Sequence, residues 1–486
     1  MPPAPPSDTI VAPEPSSAST YRAGGLVYTR RRLQAVFAWL LAGEVVFTLI
    51  DMLEPKLLPV LLKLHGATDT QIAVIIGSFN AALQFLIMPP AGYYSDRLRT
   101  RWGRRIPLLL IATPFATLFL ALTPFAPELA GWLQRSGLGD GWLDATPLAP
   151  TVAVFAILVL LFRSAQTVTN VAFFGLLRDV VPDTHMGRFL GLFRLFGAAG
   201  MFILTYWLLG YAETHSKPIF IGVAVLNLAG FAALCRFIRE GSYPPVPAAA
   251  PAAPPVRRLA GAWRTFLRES YRHPVYLWVY FVRVCVYAAL LGLSGFLVFF
   301  YQRELGMALP EVGAMLAWPS LAWVVLAYPV GRLVDRWGAI PVLKLGLATL
   351  SLGYAASFFA VVGPRTFFLS SMVTGIAFWV VMLTQLKLTQ EIFHPQRYSQ
   401  LAGANTAVQS IVIAACVSPL AGWMLDALQG WTPVVQIPWA GAVTFGPYRL
   451  VNLMLAVVYA LGLLGVYRVR HHWIARGGPD RYVPPL

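Results

Sequence analysis

Twelve stretches of apolar residues parted by short polar segments dominate the chain, at 33–62, 71–94, 105–126, 151–177, 187–210, 217–238, 274–300, 311–333, 340–362, 366–390, 398–427 and 447–468. Runs of about 20 apolar residues match the hydrocarbon thickness of a bilayer, where every backbone N–H and C=O must find its partner within the protein. Each run therefore predicts a spanning helix. The short alternating strands of a barrel and the fixed periods of a solenoid are both missing from the pattern. Composition agrees, since 57% of residues are hydrophobic and 12% charged, so the solvent is lipid.

Charge orients the helices. The formal net charge is +16, but the basic residues are spread through short loops, which argues against nucleic acid as a partner. Most of them fall in the N-terminal segment and every second loop after it, while the intervening loops hold only Lys63, Arg135, Lys217, Arg303 and Arg365. The positive-inside rule then puts both termini in the cytoplasm. Cys235, Cys285 and Cys416 each fall in or at the end of an apolar run and read as packing thiols.

Residues 1–32 open on a Pro- and Ser-rich stretch and are expected to form a disordered cytoplasmic tail ending at Arg30, Arg31 and Arg32. A linker at 239–273 separates a bundle of six helices at 33–238 from a second at 274–470, and 471–486 is a cytoplasmic tail. Within the linker a Pro/Ala run precedes Leu259, Trp263, Phe266 and Leu267 on one helical face and Arg257, Arg264, Arg268 and Arg272 on the other, which predicts a helix lying among lipid headgroups. No polar segment is long enough for a separate catalytic domain, and there is no G-x-x-x-x-G-K-[ST] phosphate loop, zinc spacing or nucleophile elbow. An enzyme, a resident cofactor or metal, and an ATP-driven pump are therefore not expected.

The two halves repeat one another. Pro90-Ala91-Gly92-Tyr93-Tyr94-Ser95-Asp96-Arg97 ends the second run and Pro329-Val330-Gly331-Arg332-Leu333-Val334-Asp335-Arg336 ends the eighth; Trp102-Gly103 and Trp337-Gly338 follow, and Ile106-Pro107 and Ile340-Pro341 open the next runs. Parallel duplication of six helices suits two bundles rocking about a central site. In such a loop glycine permits close helix packing, an aspartate can bond orphan backbone donors of a neighbouring helix, and arginines meet anionic headgroups.

The stretch from Gly92 to Arg105 resembles the loop signature of the major facilitator superfamily. That resemblance implies an all-α membrane fold of twelve helices in two pseudo-symmetric bundles. It also implies that Gly92, Asp96, Arg97, Arg101, Gly103, Arg104 and Arg105, with Gly331, Asp335, Arg336 and Gly338, form a cytoplasmic gate that does not touch substrate. More narrowly, the spacing from Asp96 to Pro107 resembles the glycoside-pentoside-hexuronide:cation symporters, and Gly92 to Arg97 is similar to the sucrose transporters. Ile106 departs from the arginine usual there. The narrower resemblance implies proton- or sodium-coupled symport of a sugar or glycoside, by a monomer in the bacterial inner membrane.

Ionisable residues within spans cost at least ~2.5 kcal/mol each at the bilayer centre and persist where they face a cavity or a partner. Glu44, Asp51 and Glu54 share one face of the first run. Glu44, nearest mid-depth, is expected to carry the coupling role with Arg163 of the fourth run beside it, and Asp51 and Glu54 stand in reserve. Arg283 in the seventh run is too deep to snorkel. Asn80 and Gln84, Gln166 and Asn170, and Gln385 supply the neutral hydrogen bonding that sugar hydroxyls require, and with Arg163 and Arg283 they are the substrate-binding candidates. Lys387 and Glu391 are assigned to the gate. Two other readings fit the same pattern: a proton-driven exporter of amphipathic compounds, and a membrane assembly protein that kept the fold without transporting.

Overall fold

The structure, a computed structural model, describes residues 21–23, 26–139, 141, 148–241, 268–394, 397–439 and 441–485. Among these, twelve helices are long and apolar enough to cross a membrane: α1 (Arg30–Leu64), α2 (Asp69–Gly92, continuing to Arg97), α3 (Ile106–Arg135), α4 (Pro150–Val180), α5 (Phe189–Tyr211), α6 (Ser216–Phe237), α7 (Pro274–Glu304), α8 (Leu309–Trp337), α9 (Ala339–Ala360), α10 (Pro364–Ile392), α11 (Gln400–Ala427) and α12 (Pro447–Ile474). Helices α1–α6 pack on one another and α7–α12 do likewise, and the two groups meet chiefly where α2 crosses α11 and α5 crosses α8. An even number of spans brings both termini to one end of the bundle, called here the termini end; the opposite end is the far end.

Of the tail expected at 1–32, residues 1–20 lie outside the described residues, and the described part that follows them is structured. Tyr21–Ala23 (β1) and Leu26–Tyr28 (β2) pair antiparallel, and Thr29 then caps α1 by accepting from the Arg32 N–H. Ala23 and Tyr28 are buried with Leu33, Val180 and Ile238, and Tyr21 meets His185 edge-on at 4.9 Å. The missed signal is Gly24-Gly25 between Tyr21-Arg22-Ala23 and Leu26-Val27-Tyr28, a two-glycine hairpin pattern. Of the amphipathic helix expected at 257–272, residues 257–267 lie outside the described residues, and 268–271 are helical. The C-terminal segment is tied down by the Tyr482 hydroxyl, which donates to the Ile392 carbonyl, and by the Tyr276 hydroxyl, which donates to the Pro485 carbonyl.

Several spans carry a wider π turn: Val74–Ser78 in α2, Leu204–Leu208 in α5, Ala288–Leu293 and Phe300–Glu304 in α7, and Ile413–Val417 in α11. Those at Val74–Ser78, Ala288–Leu293 and Ile413–Val417 adjoin one another where the halves meet. A Cβ on Gly77 would fall 2.8 Å from Ser418 Cβ and 3.5 Å from the Leu291 carbonyl, and one on Gly292 would fall 2.7 Å from Val417. A π turn releases a carbonyl from the regular ladder. The Ser78 hydroxyl supplies one replacement donor, bonding the Ala414 carbonyl across the halves at 2.7 Å.

Candidate functional site

Within the N-terminal half, one arginine holds two carboxylates. Arg163 of α4 donates from Nη1 to Asp51 Oδ1 at 3.0 Å and from Nη2 to the Asp51 carbonyl at 3.3 Å, and Nη2 also forms an ion pair with Glu54. Arg163 and Glu54 are buried, whereas the Asp51 side chain keeps 23% exposure. The expected pairing of Arg163 with Glu44 is therefore corrected. Glu44 is buried in the seam between α1 and α5, where Thr48 bonds its Oε1 at 3.5 Å and a Cβ on Gly197 would fall 2.8 Å from that oxygen; its Oε2 has no partner.

Asp51 and Arg163 open onto a cavity of about 20 Å³ whose other walls are Asn80, Gln84 and Met88 of α2 and Gln166, Thr167 and Asn170 of α4. Five sequence-predicted polar residues besides Asp51 thus converge: Asn80, Gln84, Arg163, Gln166 and Asn170. The i, i+4 spacing puts each amide pair on one helix face, and α2 packs on α4. Gln84 donates to Asn80 at 3.0 Å, which spends one donor and one acceptor of that pair. Gln166, 2% exposed, has neither its amide oxygen nor its nitrogen bonded, and Arg163 Nε is also without a partner. Buried amides are nearly always satisfied, so two open ends on one side chain mark a place where a polar guest belongs.

Arg283 and Gln385 do not line this cavity. Arg283 packs over the Tyr287 ring at 5.5 Å, and buried Gln385 donates to the Met382 sulfur at 3.1 Å with its Oε1 unbonded. The polar wall belongs to one half.

The far end is sealed by contacts sequence reasoning did not single out. Asp426, at the end of α11, accepts from the N–H groups of Asp69 and Thr70 at 2.8 Å each and from the Thr70 hydroxyl at 2.6 Å. Thr68 and Gln71 complete a capping box, and the Ile72 N–H reaches the Thr68 carbonyl. The first turn of α2 therefore has its orphan donors satisfied, two of them by the other half. Asp69 is fully buried, bonded by Lys63 at 2.6 Å and by the Tyr448 hydroxyl of α12 at 3.0 Å. Close backbone approach completes the seal: a Cβ on Gly313 of α8 would fall 2.4 Å from the Thr205 carbonyl of α5, and one on Gly422 would fall 2.6 Å from the Asp69 carbonyl.

At the termini end the duplicated loops occupy matching places. Asp96 lies in the last turn of the second helix and Asp335 in that of the eighth; the Asp96 side chain lies outside the described residues, and Asp335 pairs with Lys387 at 2.5 Å. The expectation that the loop arginines meet headgroups is corrected for two of them. Arg104 and Arg105 turn inward to Asp179 at the end of α4, at 2.5 and 3.1 Å, and Arg105 also bonds Ser95. Glu240 caps α3 through the N–H groups of Arg104, Arg105 and Ile106 at 2.9, 2.8 and 2.7 Å. Nor do Gly92 and Gly331 provide close packing, since a Cβ on either would meet nothing within 4 Å. Gly103 and Gly338 are the constrained pair, with φ +106° and +80°, and an added Cβ on Gly103 would also fall 2.4 Å from Glu240 Cδ. Arg101 stacks over Trp102 at 4.8 Å, and Arg336 is exposed.

The family model described as Major Facilitator Superfamily matches residues 40–419, most of both bundles. The chain belongs to that superfamily. It is a multi-pass membrane transporter, and the twelve-helix expectation is met. Solved structures share the fold. A bacterial homologue of the human lysosomal transporter Spinster, inward-facing and occupied, is 13% identical with a TM-score of 0.64, covering 94% of this chain and 100% of that one. The nucleoside transporter NupG is 11% identical with a TM-score of 0.59, covering 89% and 98%. A bacterial homologue of the iron transporter ferroportin, inward-facing, is 13% identical with a TM-score of 0.59, covering 90% and 98%.

Proposed function

We propose that this transporter is a cation-coupled symporter of a small hydroxyl-rich solute, a sugar or glycoside, working as a monomer in the bacterial inner membrane with its termini in the cytoplasm. One observation carries the reading: two carboxylates share one guanidinium beside a cavity walled by four amides. With both acids ionised the cluster has one negative charge unmatched in a low-dielectric setting, which a proton or a sodium ion neutralises. The amides next to it offer paired donors and acceptors, the complement of vicinal hydroxyls.

In the topology that the loop charges favour, the far end is the outer face, and a seal there leaves the transporter facing inward. The cavity has room for a water-sized guest and not for a sugar ring, so its walls must part to admit solute. When the outer seal opens, Glu54 and Asp51 take up the cation, and Arg163 is freed to share its donors with solute. Because cation and solute occupy one wall, each raises the affinity for the other by the same factor. Rocking of the halves then releases both inward.

Uptake into proteoliposomes under imposed proton or sodium gradients tests this. The panel includes sugars, glycosides and nucleosides, because amides serve a nucleobase edge as well as a hydroxyl. Gradient-dependent accumulation of a polyhydroxylated solute is expected. No accumulation under either gradient, together with proton-driven extrusion of amphipathic dyes, would replace symport with the exporter reading.

A further inference from the structure

A second cavity, of about 110 Å³, lies at the termini end, away from the polar site. It is lined by β2, the start of α1, the last residue of α6 and Arg239 just beyond it. Its lining brings two chemistries together: Arg32, Arg239 and Tyr28 supply hydrogen-bond donors, and Leu26, Trp39 and Phe237 supply apolar surface, with Trp39 stacked on Phe237 at 4.5 Å and 11°. Tyr28 is 3% exposed and its hydroxyl has no partner. Burial pushes that phenol up to about 12, against the opposing pull of the Arg32 guanidinium, so it is a hydrogen-bond donor at neutral pH. Arg32 and Arg239 are exposed, and no described carboxylate pairs with either. The adjacent Glu240 is committed to the backbone of α3.

Two unpaired guanidiniums and a buried unbonded hydroxyl beside a stacked aromatic pair, at the termini ends of two spanning helices, fit one class of ligand. We propose that this cavity binds the phosphate of an anionic phospholipid from the leaflet at the termini end, with Arg32, Arg239 and Tyr28 on the phosphate and Leu26, Trp39 and Phe237 along the glycerol and upper acyl chain. The bound lipid fastens the hairpin across the ends of α1 and α6. Bidentate arginine geometry suits phosphate oxygens, and amphipathic aromatics suit the headgroup boundary. The site involves none of the residues assigned to transport and does not depend on the solute.

Native mass spectrometry of the full-length transporter tests it, with phosphatidylglycerol, phosphatidylcholine and glycerol 1-phosphate as probes. The first phosphatidylglycerol should bind the double variant Arg32→Gln/Arg239→Gln at least tenfold more weakly than wild type, and Tyr28→Phe several-fold more weakly. The control Arg476→Gln/Arg481→Gln, charge-matched and outside the cavity, should bind as wild type does. All four side chains altered in the two double variants are surface-accessible, and unchanged melting confirms folding. Equal retention by the Arg32/Arg239 variant and wild type overturns the proposal. Equal loss in the control pair also overturns it, reducing the effect to general charge. Glycerol 1-phosphate binding as tightly as the lipid would assign the cavity to a soluble phosphate ester and overturn the lipid assignment.

Discussion

Replacing Gly313 with alanine should drive the transporter open at the far end. The added methyl carbon would sit 2.4 Å from the Thr205 carbonyl oxygen and 3.5 Å from Leu209 Cβ. A carbon tolerates a carbonyl oxygen no closer than about 3.3 Å, so α5 and α8 must separate by about 1 Å at their crossing. Overpacking of this kind costs about 1–3 kcal/mol. The cost falls only on the conformation in which the two helices touch there, so it appears as a shift of the conformational equilibrium by about 5–150-fold. The readout is the alkylation rate of a single cysteine, Gln84→Cys, in a background lacking Cys235, Cys285 and Cys416, with an impermeant maleimide added on the far side. The rate should rise by the same factor. Gly222→Ala, where a Cβ meets nothing within 4 Å, is the neutral control. An unchanged rate in a folded Gly313→Ala protein, or a rise matched by the control, refutes the role assigned to the α5–α8 contact.

Asp426→Asn removes the charge that gathers two backbone N–H groups and the Thr70 hydroxyl, and should weaken the same seal by about 1–2 kcal/mol. In the alkylation assay its effect should add to that of Gly313→Ala, because the two contacts share no residues. Glu54→Gln should abolish gradient-driven accumulation while solute exchange at equal cation concentrations persists; accumulation at wild-type levels would remove Glu54 from coupling. Glu240→Gln and Gly103→Ala should each lower the melting temperature, by about 1–2 kcal/mol of stability for the former, and the double variant should lose less than the sum, because both disturb one cap.

Much of this was legible in the chain. Hydropathy alone located the spans, and i, i+4 amide pairs located the wall of the cavity, since both signals are periodic within a single helix. Which of the acids meets Arg163 was not legible from helix phase, which puts all three on one side of α1. Depth decides it. Arg163 and Asp51 are each thirteen residues from the far-end terminus of their helix, Pro150 and Leu64, whereas Glu44 is twenty residues from Leu64. At 1.5 Å per residue that puts Glu44 about 10 Å from the level of Arg163. Counting inward from predicted helix ends would have found the pair, had those ends been sharp. The seal at Asp426 and the cap at Glu240 left no such trace. Each joins a carboxylate to backbone amides more than a hundred residues away, and backbone amides carry no sequence signature.

The cap on α2 has a consequence for how conformations can be observed. Asp69–Ala73 is a five-residue helical segment set off from the rest of α2 by the π turn at Val74–Ser78, and its leading amides, those of Asp69 and Thr70, are bonded by a side chain from the other bundle. Whenever the bundles part at that end, these two amides face water and become free to trade hydrogen for deuterium, while the capping box still protects Gln71. The ratio of exchange rates between these neighbouring amides is therefore an internal clock for the opening of the far end, readable in unlabelled protein and in native lipid.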